Sequence, residues 1–302
     1  MQIGLIGLGK MGGNMAERLR QGGHKVVGFD FNQETTAKLT AAGSVGVNSL
    51  EDLVKNLTES PRAIWIMVPA GDPVDQTIDK LKPLMSKGDI FIDGGNSNYK
   101  DSIRRHGALK AEGFEFVDVG TSGGVWGLKE GYSMMIGGDE PVVESLRPIF
   151  ETLAPGKDQG WGRTGPSGAG HFVKMVHNGI EYGMMQAYAE GFAIMDAKKE
   201  LNLDNAQISE IWRYGSVVRS WLLDLTAEAL QHNPELTGIA PFVPDSGEGR
   251  WTVFEAIDLN VSAPVITESL IRRLRSREEN NMTDRMLSVM RNAFGGHAIK
   301  KD

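Results

Sequence analysis

Residues 2–30 read QIGLIGLGKMGGNMAERLRQGGHKVVGFD, and this stretch decides the fold. Gln2 to Ile6 is a short apolar run suited to a buried strand. It passes at once into Gly7-Leu8-Gly9-Lys10-Met11-Gly12, a GxGxxG pattern. A helical pattern follows from Asn14 to Gln21, closed by Gly22-Gly23, and a second strand from Lys25 to Phe29 ends in Asp30. Alone, the glycines read equally well as a tight turn. Set between a strand and a helix, with an acid 18 positions past Gly12, they read as a dinucleotide site. Glycine lets backbone N–H groups approach a pyrophosphate at the helix N-terminus, where the helix dipole favours negative charge. Asp30 is suited to accept hydrogen bonds from the adenosine ribose hydroxyls. Its carboxylate repels a 2′-phosphate, and Phe31 and Asn32 beside it add no positive charge, so NAD is expected over NADP. Arg62 and Lys38 are the cations that would have to reach the site from elsewhere to reverse this.

The strand–helix pattern then repeats. Ala63 to Val68, AIWIMV, ends in Pro69-Ala70-Gly71, and Asp89 to Asp93, DIFID, ends in Gly94-Gly95-Asn96-Ser97. Phe114 to Val119, FEFVDV, leads into Ser122-Gly123-Gly124. Such alternation indicates an α/β fold, a doubly wound parallel sheet of Rossmann type, with ligands beyond the carboxyl ends of the strands. The glycine loop with Val68, Pro69, Ala70 and Asn96 is therefore the expected cofactor-binding set. Tight turns account for Gly94 and Gly95 as well as a ligand would, whereas the amide of Asn96 and the hydroxyl of Ser122 are not required by a turn.

From Gly156 to Gly170 the chain is dense in glycine and lacks apolar periodicity, so a domain boundary is expected there. This divides a dinucleotide-binding domain, 1–165, from a second domain, 166–302. Beyond the boundary the pattern is helical over Ala206 to Leu230, Trp251 to Leu259, Pro264 to Arg275 and Thr283 to Phe294, predicting an all-α domain. Arg272, Arg273, Arg275 and Arg277 form a basic cluster that reads mostly as a solvated face. At least one of them is suited to hold a phosphate or carboxylate in bidentate fashion.

Composition bounds the function. The formal net charge of −7 argues against nucleic acid, whose phosphates call for a basic surface. No apolar run is long enough to span a membrane, and no signal peptide is expected, because the first residues already read as a strand and turn. With no cysteine in 302 residues, disulfides and thiolate metal sites are excluded, no metal is expected, and the reducing cytoplasm is the natural location.

The chemistry concentrates in GHFVKMVHNGIEY, residues 170–182. Lys174, His177, Asn178 and Glu181 fall at i, i+3, i+4 and i+7, so they share one helical stripe. Phe172, Met175, Val176 and Ile180 fall opposite and are expected to form the core face. A solvated helix face with a Lys/Glu pair is the plain alternative.

Several motifs together resemble 6-phosphogluconate dehydrogenase: GLIGLGKMGGNM from Gly4, DGGNS at 93–97, SGG at 122–124 and GHFVKMVHNGIEYG at 170–183. The resemblance covers nearly the whole chain and matches the short form of that family. Asp30 and Phe31 stand where its NADP-using members carry asparagine and arginine. The resemblance implies oxidative decarboxylation of 6-phosphogluconate to ribulose 5-phosphate, with Lys174 as general base and then acid, and Glu181 as the acid that protonates C1. It implies substrate contacts from Asn96, Ser122, Gly123, Gly124, His177 and Asn178, and phosphate contacts from Tyr182 and Arg273. Arg291 and His297 match tail residues that complete a neighbouring subunit's site, which implies a homo-oligomer. A lysine acting as base near neutral pH must have a depressed pKa, and we expect this for Lys174.

One departure bears on the phosphate. The family's Gly-Thr-Gly-Lys segment, preceded by a lysine, is here Asp245-Ser-Gly-Glu-Gly-Arg250. Ser246 and Arg250 are the candidates to compensate. Two other readings compete. A different β-hydroxyacid dehydrogenase, such as one acting on 3-hydroxyisobutyrate, shares the lysine but usually follows it with paired asparagines and has no need of Glu181. A non-catalytic NAD-responsive protein would be expected to lose the base or the acid, and both are present.

Overall fold

The computed structural model describes residues 1–279 and 281–300. The chain opens with β1 (Gln2–Ile6), α1 (Lys10–Gln21), β2 (Lys25–Phe29), α2 (Gln33–Ala41), β3 (Val45–Val47) and α3 (Leu50–Asn56). It continues with β4 (Ala63–Ile66), α4 (Asp72–Leu81), β5 (Ile90–Asp93), α5 (Tyr99–Glu112) and β6 (Glu115–Ser122). Then come α6 (Gly127–Glu130), β7 (Ser133–Gly138), α7 (Glu140–Ser145), α8 (Arg147–Leu153) and β8 (Trp161–Gly165). The strands form one sheet in the order β3-β2-β1-β4-β5-β6-β7-β8. Strands β1 to β6 run parallel, as the alternation with helices predicts. Ile3 and Leu5 pack into the core on one face and Ile6 into the core on the other, which is why the strands read as continuous apolar runs.

The far edge adds one reversal to this parallel sheet. β7 pairs antiparallel to β6, with Gly120 opposite Met135, and β8 pairs parallel to β7. This pairing carries β6 three residues past Val119, to Ser122. β8 lies within the glycine-dense segment that reads as a linker. An edge strand that buries little side-chain surface needs no apolar alternation, so periodicity does not reveal it.

After β8 only helices follow among the described residues: α9 (Ala169–Ala197), α10 (Asn205–Arg213), α11 (Trp221–His232), α12 (Glu248–Asp258), α13 (Pro264–Arg275) and α14 (Met282–Gly295). The single helix expected from Ala206 to Leu230 is two. Gly215, at φ +74°, breaks the run, and the Ser220 hydroxyl accepts the Leu223 N–H to start α11. The chain divides into two compact units, Met1–Asn178 and Gly179–Asp302, with the division inside α9.

Helix α9 departs from its expected amphipathicity on both faces. Lys174 and Asn178, on the polar stripe, are 7% and 8% exposed, whereas Ile180, assigned to the core face, is 52% exposed. Met175 alone of the four apolar residues is buried.

Candidate active site

Three short-range devices shape the cofactor cleft. Gly7 takes φ +89°, which glycine adopts without strain, and a Cβ at Gly12 would overlap the Gly7 carbonyl oxygen. A Cβ at Gly9 would meet nothing within 4 Å, so the loop is open where a ligand would approach. No side chain caps the N-terminus of α1, and its first turn carries no acid, which leaves its N–H groups for a pyrophosphate. Asp30 closes β2 with its carboxylate held in place: Oδ2 accepts the Leu8 N–H at 2.7 Å and Oδ1 the Asn32 N–H at 2.8 Å.

These residues border a cleft of about 610 Å³ whose lining includes Gly7, Gly9, Asp30, Phe31, Val68 and Pro69 from the predicted set. Leu8, Lys10, Met11, Gly12, Ala70 and Asn96 are not among its lining residues. Sequence reading misses Ser49, Glu51, Thr77 and Lys80, which also line it, because they come from α3 and α4 with no motif to mark them. Neither Arg62 nor Lys38 lines the cleft. Arg62 is instead held by Asp89, Nε to Oδ2 at 3.0 Å, where β4 and β5 begin. The cleft therefore has two carboxylates, Asp30 and Glu51, against Lys80.

Asn96 is exposed in a loop whose base is rigid. Asp93 is fully buried and accepts the Ser97 hydroxyl at 2.8 Å, the Gly95 N–H at 3.3 Å and the Arg105 guanidinium at 3.1 Å. Arg105, also buried, bonds Asp75 at 2.8 Å and the Gly71 carbonyl at 3.1 Å, tying the loops after β4 and β5 together. Burial disfavours ionised Asp75, but the hydrogen bonds from Arg105 and Arg104 outweigh it and hold the carboxyl below its usual range. Breaking such a buried pair by removing one partner costs about 3–5 kcal/mol.

Ser122 ends β6, and Gly123 and Gly124 follow at φ +132° and +51°, conformations that favour glycine. Against the same strand lies Lys174, since a Cβ at Gly120 would overlap Lys174 Cβ. The Lys174 ammonium donates to Asn178 Oδ1 at 2.6 Å, and His177 Nδ1 lies 3.0 Å from the same oxygen. An amide oxygen only accepts, so His177 Nδ1 carries the proton. The buried lysine and the imidazole thus share one amide oxygen.

The second unit carries Glu181 on the next turn of α9, half-buried, and Tyr182, buried. The Arg273 guanidinium stacks on the Tyr182 ring, 3.5 Å from its centroid, and donates to the Pro244 carbonyl at 2.9 Å. The Ser246 N–H donates to the Tyr182 hydroxyl at 3.3 Å. Asp245 between them, its side chain only 4% exposed, holds Arg250 at 2.9 Å and Arg277 at 2.8 Å. The hydrogen bond from Arg250, with Arg277 adding to it, keeps the Asp245 carboxyl below the usual carboxylate range. Of the basic cluster, Arg272 is exposed and Arg275 pairs with Glu278 and Asp284, so only Arg273 and Arg277 join this group. Arg291 and His297 lie together beside Asp284 in a depression of about 420 Å³. Among the described residues no group of three or more His, Asp and Glu is placed to hold a metal, and no helix is long and apolar enough to cross a membrane.

Residues 2–162 match the model of the NAD binding domain of 6-phosphogluconate dehydrogenase, and residues 170–301 match that of the 6-phosphogluconate dehydrogenase C-terminal domain. The chain is 42% identical over 302 residues to the NAD(+)-dependent, decarboxylating 6-phosphogluconate dehydrogenase of Haloferax volcanii, covering 100% of this chain and 99% of that one. It is also 42% identical to the enzyme of that name from Bacillus subtilis, covering 93% of this chain and 62% of the longer relative. Among solved structures, Plasmodium falciparum 6-phosphogluconate dehydrogenase superposes with a TM-score of 0.83 at 31% identity, covering 100% of this chain and 66% of that one.

Proposed function

The chain belongs to the decarboxylating 6-phosphogluconate dehydrogenase family, and we propose that it converts 6-phosphogluconate to ribulose 5-phosphate and CO₂ with NAD as oxidant. The observation that carries this is the buried Lys174, held by Asn178 on a helix that presents Glu181 seven residues on. NAD, held by the glycine loop and Asp30, would supply the acceptor for the hydride from C3. Lys174 takes the proton of the C3 hydroxyl, leaving a 3-keto acid. The carboxylate leaves as CO₂, and the lysine, now an ammonium, stabilises the enolate oxygen that forms. Glu181 then protonates the carbon that lost CO₂, which is C1 of the product. Asn96, Ser122, Gly123, Gly124, His177 and Asn178 are the proposed substrate contacts. The test is to follow NADH absorbance and CO₂ together, with NAD and NADP in parallel. Stoichiometric CO₂ with NAD supports the reading, and reduction without CO₂ would sink it in favour of a plain hydroxyacid dehydrogenase.

Cofactor choice rests on Asp30, with Glu51 as a second repelling charge. For Asp30→Ala, loss of the hydrogen bonds from the ribose hydroxyls to a carboxylate, each about 1.5–3 kcal/mol, should raise the KM for NAD by roughly 10–100-fold. NADP should be less affected. Equal losses with both cofactors would refute the selectivity argument.

For the substrate phosphate, Tyr182 and Arg273 are joined in this reading by Arg277, which with Arg250 supplies the positive charge of the missing lysine. Arg277→Ala is expected to raise the KM for 6-phosphogluconate by roughly 10–100-fold with kcat nearly unchanged, since it removes one charged hydrogen bond made in ground and transition states alike. An unaltered KM would remove Arg277 from the site.

We further propose that the protein works as a homo-oligomer in the cytoplasm, with Arg291 and His297 completing a neighbouring site. Ile180, Met184 and Ile194 leave an exposed apolar face along α9, which supports self-association. Sedimentation at micromolar concentration should give a dimer or larger species; a monomer there would contradict this.

A further inference from the structure

The strand that ends at Ser122 holds a carboxylate with no part in the reading above. Asp118 lies at mid-strand in β6 and is fully buried. Its Oδ1 accepts the Gly168 N–H at 2.6 Å and the Ser167 hydroxyl at 3.3 Å, and its Oδ2 accepts the His171 N–H at 2.9 Å. The donors are the residues just before α9 and in its first turn. A helix start has N–H groups without intrahelical partners and carries partial positive charge, and a carboxylate from the neighbouring strand answers both. The contact is made on bare backbone. A Cβ at Gly170 would come 2.5 Å from the Met135 backbone oxygen and 2.6 Å from the Asp118 backbone oxygen, and one at Gly137 would come 2.5 Å from Asp118 Oδ1. His171 extends the fastening, its Nδ1 sharing a 2.7 Å hydrogen bond with the Ser102 hydroxyl on α5, the helix after the Asn96 loop.

We propose that Asp118 is a positioning residue for the reaction: it docks the start of α9 on β6 and so sets the place of Lys174 relative to the Ser122 loop. The proposal rests on the base role for Lys174. Lys174 follows His171 by three residues, so its Cα moves with the turn that Asp118 holds. An asparagine at 118 keeps one accepting oxygen but turns an NH₂ toward a backbone donor. At least one N–H of the helix start then loses its partner.

The experiment compares the full-length parent with Asp118→Asn and Gly120→Ala, the latter pressing on Lys174 Cβ and on the Gly170 carbonyl oxygen while leaving the Asp118 carboxylate in place. In both variants kcat should fall by about 10²-fold while the KM for 6-phosphogluconate and the Kd for NAD stay within about threefold, the mark of a misplaced catalytic group. In Asp118→Asn, amide hydrogen exchange at Gly168 and His171 should quicken by about tenfold or more, with β1 to β5 unchanged. A kcat near the parent's in either folded variant overturns the proposal, as does unaltered exchange at those two amides. Should Asp118→Asn not fold, Asp118→Ser, which leaves room for water to accept the donors, carries the same expectations. The exchange measurement needs no substrate. A parent inactive on 6-phosphogluconate would therefore strike the functional reading while exchange still decides whether Asp118 fastens the helix.

Discussion

Lys174→Met is expected to lower kcat by about 10⁴-fold, since general base catalysis and charge stabilisation at the enolate are lost together. Methionine keeps most of the volume of this buried side chain, so the protein should fold and bind NAD as the parent does. Lys174→Arg separates charge from basicity: an arginine stays protonated at every usable pH and cannot take the hydroxyl proton. It should be nearly as inactive as the methionine variant. In the parent, kcat/KM should fall as pH drops through the pKa of the free lysine, because the base must be uncharged to accept a proton. A lysine that serves as the base must have that pKa well below the ordinary value of about 10.4, and the pH profile tests this. Turnover by Lys174→Arg within an order of magnitude of the parent would remove the base assignment.

The second large effect is expected at Glu181. Glu181→Gln keeps shape and hydrogen bonding but cannot deliver a proton, and kcat should fall by roughly 10²–10³-fold. The decisive readout is the product. In deuterated water the parent should place deuterium on one face of C1, because a fixed acid approaches from one side. The variant should release an enediol that solvent protonates on both faces, so the label becomes racemic by NMR. One-sided labelling at a parent-like rate would mean that another group is the acid. The same experiment separates this reading from a plain hydroxyacid dehydrogenase, which forms no enediol.

What residues 2–30 decide by themselves is the strand, the glycine turn, the helix start and the acid at the end of β2. Each depends on contacts within a few positions or on one strand pairing with the next, as Gly7 N–H does with the Phe29 carbonyl at 3.0 Å. Helical periodicity likewise placed Lys174, His177, Asn178 and Glu181 on one stripe, because the 3.6-residue turn is a local property. It could not say which side of α9 would be buried. Apolar Ile180 lies outward while Lys174 and Asn178 of the polar stripe are buried alongside Met175, a departure from the usual amphipathic pattern. Tertiary structure alone decided the reversal at β7, the edge strand β8, and three long-range clamps, each built on one buried side chain. Asp118 reaches Gly168 across 50 positions, Arg105 reaches Asp75 across 30, and Arg277 reaches Asp245 across 32. In sequence each of these residues is one charge among many. Only the chain path brings a partner to each buried charge, which would be too costly to keep unpaired.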